Sequence, residues 1–218
     1  MEEGRKNQAS HMRAGDLSVL SERASTKVRV PKVVLASASP RRAEILQTVG
    51  WPFEILAVEI DESRRETENA ATYVERLALS KAEAARSQRT EAMIVAADTV
   101  VLIEGQILGK PHDHEDARRM LRLLQDRWHQ VLTGVALISN ETIQTKTAHE
   151  VTEVEFAAMT EEEISWYVST GEPMDKAGAY AIQGLGARFI KGISGDYFNV
   201  VGLPVRLLYE LIGSVARP

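Results

Sequence analysis

Leu35-Ala36-Ser37-Ala38-Ser39-Pro40-Arg41-Arg42 decides how this chain is read, because it passes from an apolar strand to a helix start through one turn carrying two hydroxyls and two guanidiniums. Lys32 to Leu35 read as a short β-branched strand, Ser39 as an N-cap whose side chain satisfies an orphan backbone N–H, and Pro40 as the first helical residue. Arg41 and Arg42 then fall in the first helical turn, where the positive end of the dipole disfavours a cation unless an anion is bound beside it. Free N–H groups, hydroxyls and guanidinium forks converging on a helix start suit a phosphate. The same spacing also fits an ordinary capped helix with solvated arginines.

Outward from that turn, strand and helix alternate. The helix from Pro40 should end at Gly50, and Phe53 to Val58 should form a second strand. A helix is expected from Asn69, with Tyr73, Leu77 and Ala84 on its buried face and Lys81 near it. Met93 to Ile103 read as a long buried strand, Glu104-Gly105 as a hairpin turn, and Gln106 to Leu108 as the return. Asp113 should cap a helix burying Ala117, Met120, Leu121 and Leu124. Val131 to Ile138 and His149 to Phe156 are further strands, and Thr160 to Glu163 form a capping box for a helix stopped by Gly171. A last helix runs from Pro204 to Ile212. Gly171 to Gly186 fit neither a helix nor an ordinary strand, so they form a surface loop or a wall where backbone approaches a ligand, and Gly192 to Tyr197 add a similar turn.

Composition bounds the rest. With 218 residues, 44% of them hydrophobic, the chain can bury the core of a single domain. A net charge of −5 argues against broad binding of nucleic acid or anionic membrane, so a polyanionic substrate must meet a local basic cluster, a divalent metal, or both. Cysteine is absent, which excludes disulfides and thiolate metal sites, and the five histidines are too scattered for a zinc cluster. No apolar run reaches membrane-spanning length and no cleavable signal is visible, so a cytoplasmic location is expected. Residues 1–30 are polar and aperiodic and read as a disordered leader, with Ser10-His11-Met12 resembling a cloning remnant; the domain is expected over residues 31–218.

Asp98 interrupts the apolar run Met93 to Ile103. An unpaired buried carboxylate costs several kcal/mol, so it must meet a metal or a cation, or emerge at a cleft; a structural ion pair with Lys or Arg is the plain alternative. Glu62 stands in the charged loop Glu59 to Arg65 and by itself reads as a solvated charge. Lys81 and Lys110 read by default as surface lysines, although Gly109 and Pro111 stiffen the loop that presents Lys110. Gln183 offers an amide donor and acceptor that suit the imide edge of uracil or thymine, or simply water.

Six stretches together resemble one family. Ser37 to Arg42, Ala97-Asp98-Thr99-Val100-Val101, Gly109-Lys110-Pro111, Thr133-Gly134-Val135-Ala136, Gly171 to Gly178 and Asn199 to Pro204 look like the successive motifs of the Maf-like nucleoside triphosphate pyrophosphatases. The resemblance runs in order from Lys32 to the C-terminus. It implies a mixed α/β fold with an elongated central sheet flanked by helices, similar to that of inosine triphosphatases, and an active-site cleft between two lobes. It also implies hydrolysis of a triphosphate between its α- and β-phosphates, serving to cleanse the nucleotide pool, and allows a homodimer. On this resemblance Asp98 binds metal and accepts a proton, and Glu62 helps hold Mg²⁺, with Mn²⁺ as the second choice, and orients the attacking water. Arg41, Arg42, Lys81 and Lys110 spread positive charge around the triphosphate, and Ser37 and Ser39 add donors. Thr99 and Gln183 read the base, a task Arg41 shares. Lys176, Tyr180, Ile182, Gln183 and Gly184 resemble the branch acting on dTTP and UTP, which implies dTTP, UTP and modified pyrimidine nucleotides as substrates, whereas Ala181 stands where that branch often has Gly, its methyl tightening the base pocket. A pyrophosphatase of methylated purine nucleotides, and a nucleotide-binding regulator of cell division or septum formation, stay open beside this reading.

Overall fold

Met93–Ile103 (β3) is the axis of the sheet: its apolar, β-branched run supplies a strand buried on both faces, and the strands around it take their places from its pairings. Residues 30–215 are described by the structure, a computed structural model, so the expected leader lies outside the described residues apart from Val30. From Pro31 the chain forms one compact unit. The three-residue strand β1 (Val33–Leu35) runs parallel to β3 on one side and to β2 (Phe53–Ile55) on the other. On its second side β3 pairs antiparallel with β5 (Trp128–Ser139), from Met93 opposite Ser139 to Leu102 opposite Gln130. Then follow β6 (Gln144–Phe156) and β7 (Ile190–Ser194), both antiparallel, giving the order β2-β1-β3-β5-β6-β7 with β4 (Gln106–Leu108) folded back on β3. The described residues thus form a mixed seven-stranded sheet flanked by helices.

The helices are α1 (Pro40–Thr48), α2 (Ala70–Arg86), α3 (His114–Leu124), α4 (Glu161–Ser169), α5 (Tyr197–Val201) and α6 (Val205–Val215). Asn69, Asp113 and Thr160 cap α2, α3 and α4 through their side chains, the last in a full capping box. The core falls into groups at the two ends of the long β3–β5 ladder. One gathers Val34, Ala78, Ala82, Ile94 and Ile138 under α2. The other gathers Leu108, Leu121, Phe156, Tyr167 and Tyr180 among α3, α4 and the segment that follows α4. A further group gathers Ala70, Val74, Val100 and Leu132, and one continuous sheet carries all of them.

Several local expectations need correction. Strand β2 stops at Ile55, which is 59% exposed, because an edge strand opposite the short β1 has no partner for residues up to Val58. Helix α1 ends at Thr48, with Gly50 turning the chain at φ 66°. The buried ridge of α2 is Ala70, Val74, Leu77, Ala78, Ala82 and Ala85, while Tyr73 and Ala84 are only half-buried. A ridge of small residues lets α2 lie close on the sheet, so close that a Cβ on Gly134 of β5 would come within 2.4 Å of the Val74 backbone. Both β5 and β6 run longer than their apolar cores suggest, and β7 and α5 occupy what reads as a Gly-rich turn. Lys191 and Gly192 hide the period of β7, which exists because β6 offers it a ladder. Among the described residues, no helix is long and apolar enough to cross a membrane.

Candidate active site

Between the two core groups opens a cleft of about 660 Å³, and each of Ser37, Ser39, Arg41, Arg42, Glu62, Lys81, Asp98, Thr99, Lys110 and Gln183 lines it. Residues scattered over the sequence meet there because the β1–α1 turn, the middle of β3, one face of α2, the loop after β4 and the segment after α4 all point to it.

The acidic centre is built on β3. Asp98 faces the cleft at the rung where β3 meets Gly134 of β5, and α2, packed against that glycine, brings Lys81 to it. Lys81 Nζ lies 2.6 Å from Asp98 Oδ1 and 2.7 Å from Glu62 Oε1. The ion pair weighed as the plain alternative for Asp98 is therefore present, yet the same ammonium also draws in Glu62. One cation bridges two carboxylates from separate segments. Partial burial pushes the Glu62 carboxyl up, but the hydrogen bond and charge of Lys81, with the charges of Lys110 and Arg42, outweigh it and hold the group below its usual range. Tyr73 fixes this loop by donating its hydroxyl to the Glu62 carbonyl at 2.7 Å, and burial together with the charges of Asp98 and Glu62 raises its phenol pKa.

Whether a divalent metal suits this centre follows from its donors. Among the described residues no group of three or more carboxylates or histidines converges, so the protein by itself forms no closed cage. Two carboxylates that already share a cation are the donor set Mg²⁺ uses when it keeps waters and takes phosphate oxygens from a substrate. The residues fit such an ion.

The β1–α1 turn departs from a simple capped helix. Ser39 has the extended backbone of an N-cap but its side chain caps nothing, and its own N–H donates to Ser37 Oγ at 3.1 Å. Arg42 is buried, so the pair of solvated arginines is excluded. Its Nε donates to the Gly202 carbonyl at 2.8 Å, Nη1 to Ser37 Oγ and Nη2 to Thr99 Oγ1, both at 3.1 Å. Burial lowers its pKa, opposed by the charges of Asp98 and Glu62. The Thr99 hydroxyl is doubly engaged, since it also pairs with Thr133 Oγ1 at 2.9 Å, and Thr133 in turn donates to the Asn199 carbonyl. Arg42 thereby ties turn, β3 and the α5–α6 junction together while keeping one N–H on each terminal nitrogen for a ligand.

The opposite wall is the segment after α4, folded into short 3₁₀ turns at Glu172–Asp175, Ala177–Ala179 and Leu185–Phe189. Arg41 reaches across the cleft to it, with Nη1 on Asp175 Oδ2 at 2.8 Å and Nη2 on the Asp175 carbonyl at 3.1 Å. Asp175 also pairs with Lys176, and although partial burial pushes its carboxyl up, Lys176 and Arg41 bring it down to about 2. The exposed Lys110 sits on a loop tied to this wall, because Gly178 N–H donates to the Gly109 carbonyl at 3.0 Å. That approach requires Gly178: its φ is 68°, and a Cβ would lie 2.7 Å from Val101 Cγ2. Gln183 is exposed at the rim, with no hydrogen-bond partner for its amide among the described residues, and Ala181 is buried beside it.

Residues 32–215 match the family described as Maf-like protein. The chain belongs to that family. Maf-like relatives named dTTP/UTP pyrophosphatase include one from Symbiobacterium thermophilum, 49% identical over 86% of this chain and 95% of its own. Another, from Bacillus cytotoxicus, is 49% identical over 83% of this chain and 94% of its own, and a third, from Desulforamulus reducens, is 46% identical over the same shares. Among solved structures, the Staphylococcus aureus Ham1 protein aligns with a TM-score of 0.46 at 15% identity, over 84% of this chain and 98% of that one.

In this Maf-like chain two cleft residues escaped the sequence reading. Tyr73 is placed by helical period on the buried face, and only the loop carrying Glu62 turns it into a cleft residue. Asp175 lies inside the Gly171 to Gly178 stretch; the available signal was that two first-turn arginines need a counter-charge, and this carboxylate supplies part of it.

Proposed function

We propose that this chain hydrolyses nucleoside triphosphates between the α- and β-phosphates, giving nucleoside monophosphate and pyrophosphate, with dTTP and UTP preferred, and so cleanses the nucleotide pool in the cytoplasm. The observation that carries the reading is the juxtaposition of Asp98 and Glu62, bridged by Lys81 at 2.6 and 2.7 Å, with the guanidinium and hydroxyls of Arg42, Ser37 and Ser39 in one cleft. A cation site beside an anion site is what metal-assisted phosphoryl chemistry needs. The names carried by the Maf-like relatives favour dTTP and UTP as substrates.

Mg²⁺, or Mn²⁺ in its place, would be held by Asp98 and Glu62 and would supply Lewis-acid polarisation of a phosphate oxygen and a more acidic water. Asp98 accepts the proton of the attacking water and Glu62 orients that water toward the α-phosphorus. Lys81 and Lys110 neutralise charge building on the phosphates, and the two free N–H groups of Arg42 with the donors of Ser37 and Ser39 hold the triphosphate against the α1 start. Arg41, already fixed by Asp175, borders the base side. Base reading falls chiefly to Gln183, whose amide is free, while Thr99 braces Arg42. A homodimer is part of the same proposal.

Pyrophosphate release from a panel of triphosphates, with and without Mg²⁺ or Mn²⁺, tests the reading. Turnover should require metal and favour UTP and dTTP, and Asp98→Asn should lower kcat at least about 100-fold with the fold intact, the scale of a lost general base. A near wild-type rate for Asp98→Asn, or tight nucleotide binding without turnover, refutes it.

A further inference from the structure

The segment Ala181 to Gly186 carries Gln183 on an otherwise irregular wall, and a single carboxylate pins it from inside the protein. Glu172 Oε1 accepts the Tyr167 hydroxyl at 2.8 Å and the Gly186 N–H at 3.0 Å, and Oε2 accepts the Leu185 N–H at 2.9 Å. Tyr167, fully buried on α4, closes the circuit by accepting the Ala181 N–H at 3.1 Å. The chain is therefore held two residues before Gln183 and two and three residues after it, all through one Tyr–Glu pair. Two glycines are needed for this fit: a Cβ on Gly184 would lie 2.2 Å from Glu172 Oε2, and one on Gly186 would lie 2.5 Å from the Tyr167 hydroxyl oxygen. Glu172 itself is kept charged, since partial burial pushes its carboxyl up but the two backbone N–H groups, Tyr167 and Lys176 outweigh that and hold it low.

We infer that Glu172 and Tyr167 are positioning residues for base selection, holding the Ala181–Gly186 segment so that the Gln183 amide meets the imide edge of a pyrimidine. This rests on the proposed pyrophosphatase reading and adds to it the device that sets the base preference. A loop amide left to itself samples many orientations and discriminates weakly; a site rejects a wrong hydrogen-bonding edge only when its own groups cannot turn to accommodate it. The pinned backbone, rather than any packing of the exposed Gln183 side chain, supplies that rigidity.

The test is the ratio of kcat/KM for UTP to that for ATP in Glu172→Gln, Tyr167→Phe, Gln183→Ala and the two double variants with Gln183→Ala. Glu172→Gln turns an amide N–H toward donors, while Tyr167→Phe keeps the ring volume in the core and removes only the hydroxyl, so it decides the matter if the first variant folds poorly. Each single variant should lower the ratio about tenfold, the scale of one misplaced hydrogen bond. In the Gln183→Ala background neither should lower it further. An unchanged ratio in Tyr167→Phe, or an equal additional drop in the Gln183→Ala background, overturns the inference. A wild-type enzyme that favours UTP, loses that preference on Gln183→Ala and keeps it in both clamp variants sinks this inference alone. A wild-type protein without pyrophosphate release sinks the proposed function instead.

Discussion

Gly134→Ala gives opposite signs for two ways of reasoning, which makes it a sharp perturbation. Judged by chain entropy, replacing a strand glycine by alanine should stabilise the protein by roughly 0.5–1 kcal/mol. Judged by the structure, the new Cβ would lie 2.4 Å from the Val74 carbonyl carbon and oxygen and 2.7 Å from the Glu75 amide nitrogen. Those atoms are helix backbone and cannot rotate away, so α2 must retreat about 1 Å to restore an ordinary contact. Overpacking of this kind costs roughly 1–3 kcal/mol, and the stiffness of the obstacle puts the expectation near the top of that range. At roughly 2–4 °C per kcal/mol for a domain of this size, Tm should fall by about 6–12 °C. Because Lys81 and Tyr73 ride on α2, the same retreat pulls Lys81 from Asp98, now 2.6 Å away, and kcat/KM should drop by up to about 100-fold. Thermal unfolding followed by circular dichroism, with pyrophosphate release at 25 °C, reads both effects. A Tm at or above the wild-type value would refute the close backbone packing and with it the account of how Lys81 is placed.

Two further outcomes follow from buried polar groups. His129 is buried among Phe156 and Tyr180, and desolvation pushes its pKa down to about 4, so the folded state keeps it neutral where the unfolded chain, titrating near the ordinary value of 6.5, takes up a proton. Its contribution is therefore complete above about pH 6.5 and is lost as pH falls toward 4, on the order of 3 kcal/mol in all; His129→Gln should show a flatter fall of urea midpoint over that window, and an equal slope would count against it. Arg42→Lys keeps the charge but not the fork that holds Gly202, Ser37 and Thr99, so a loss of roughly 2–3 kcal/mol in guanidinium unfolding is expected, and a change under about 0.5 kcal/mol would show that the three links carry little.

Elements whose signals are local were legible along the chain. The apolar run of β3, the Glu104-Gly105 hairpin and the caps Asn69, Asp113 and Thr160 depend on neighbours within a few residues, so they could be read without tertiary knowledge. Asp98 stood out for the same reason, as a charge inside a buried run. Motif resemblance then brought together ten positions that line one cleft, a grouping that composition and period alone do not give.

Features that depend on a partner far along the chain were legible only once the chain was folded. Whether Tyr73 faces core or cleft was set by the loop of Glu62, the strand β7 by the ladder that β6 offers, and the burial of Arg42 by a carbonyl 160 positions away at Gly202. Lys81 between two carboxylates, and Glu172 under the Gln183 segment, likewise arise from chain reversals that place separate segments side by side. A charged or polar side chain takes its role from the group that satisfies it, and that group is chosen by folding rather than by spacing along the chain.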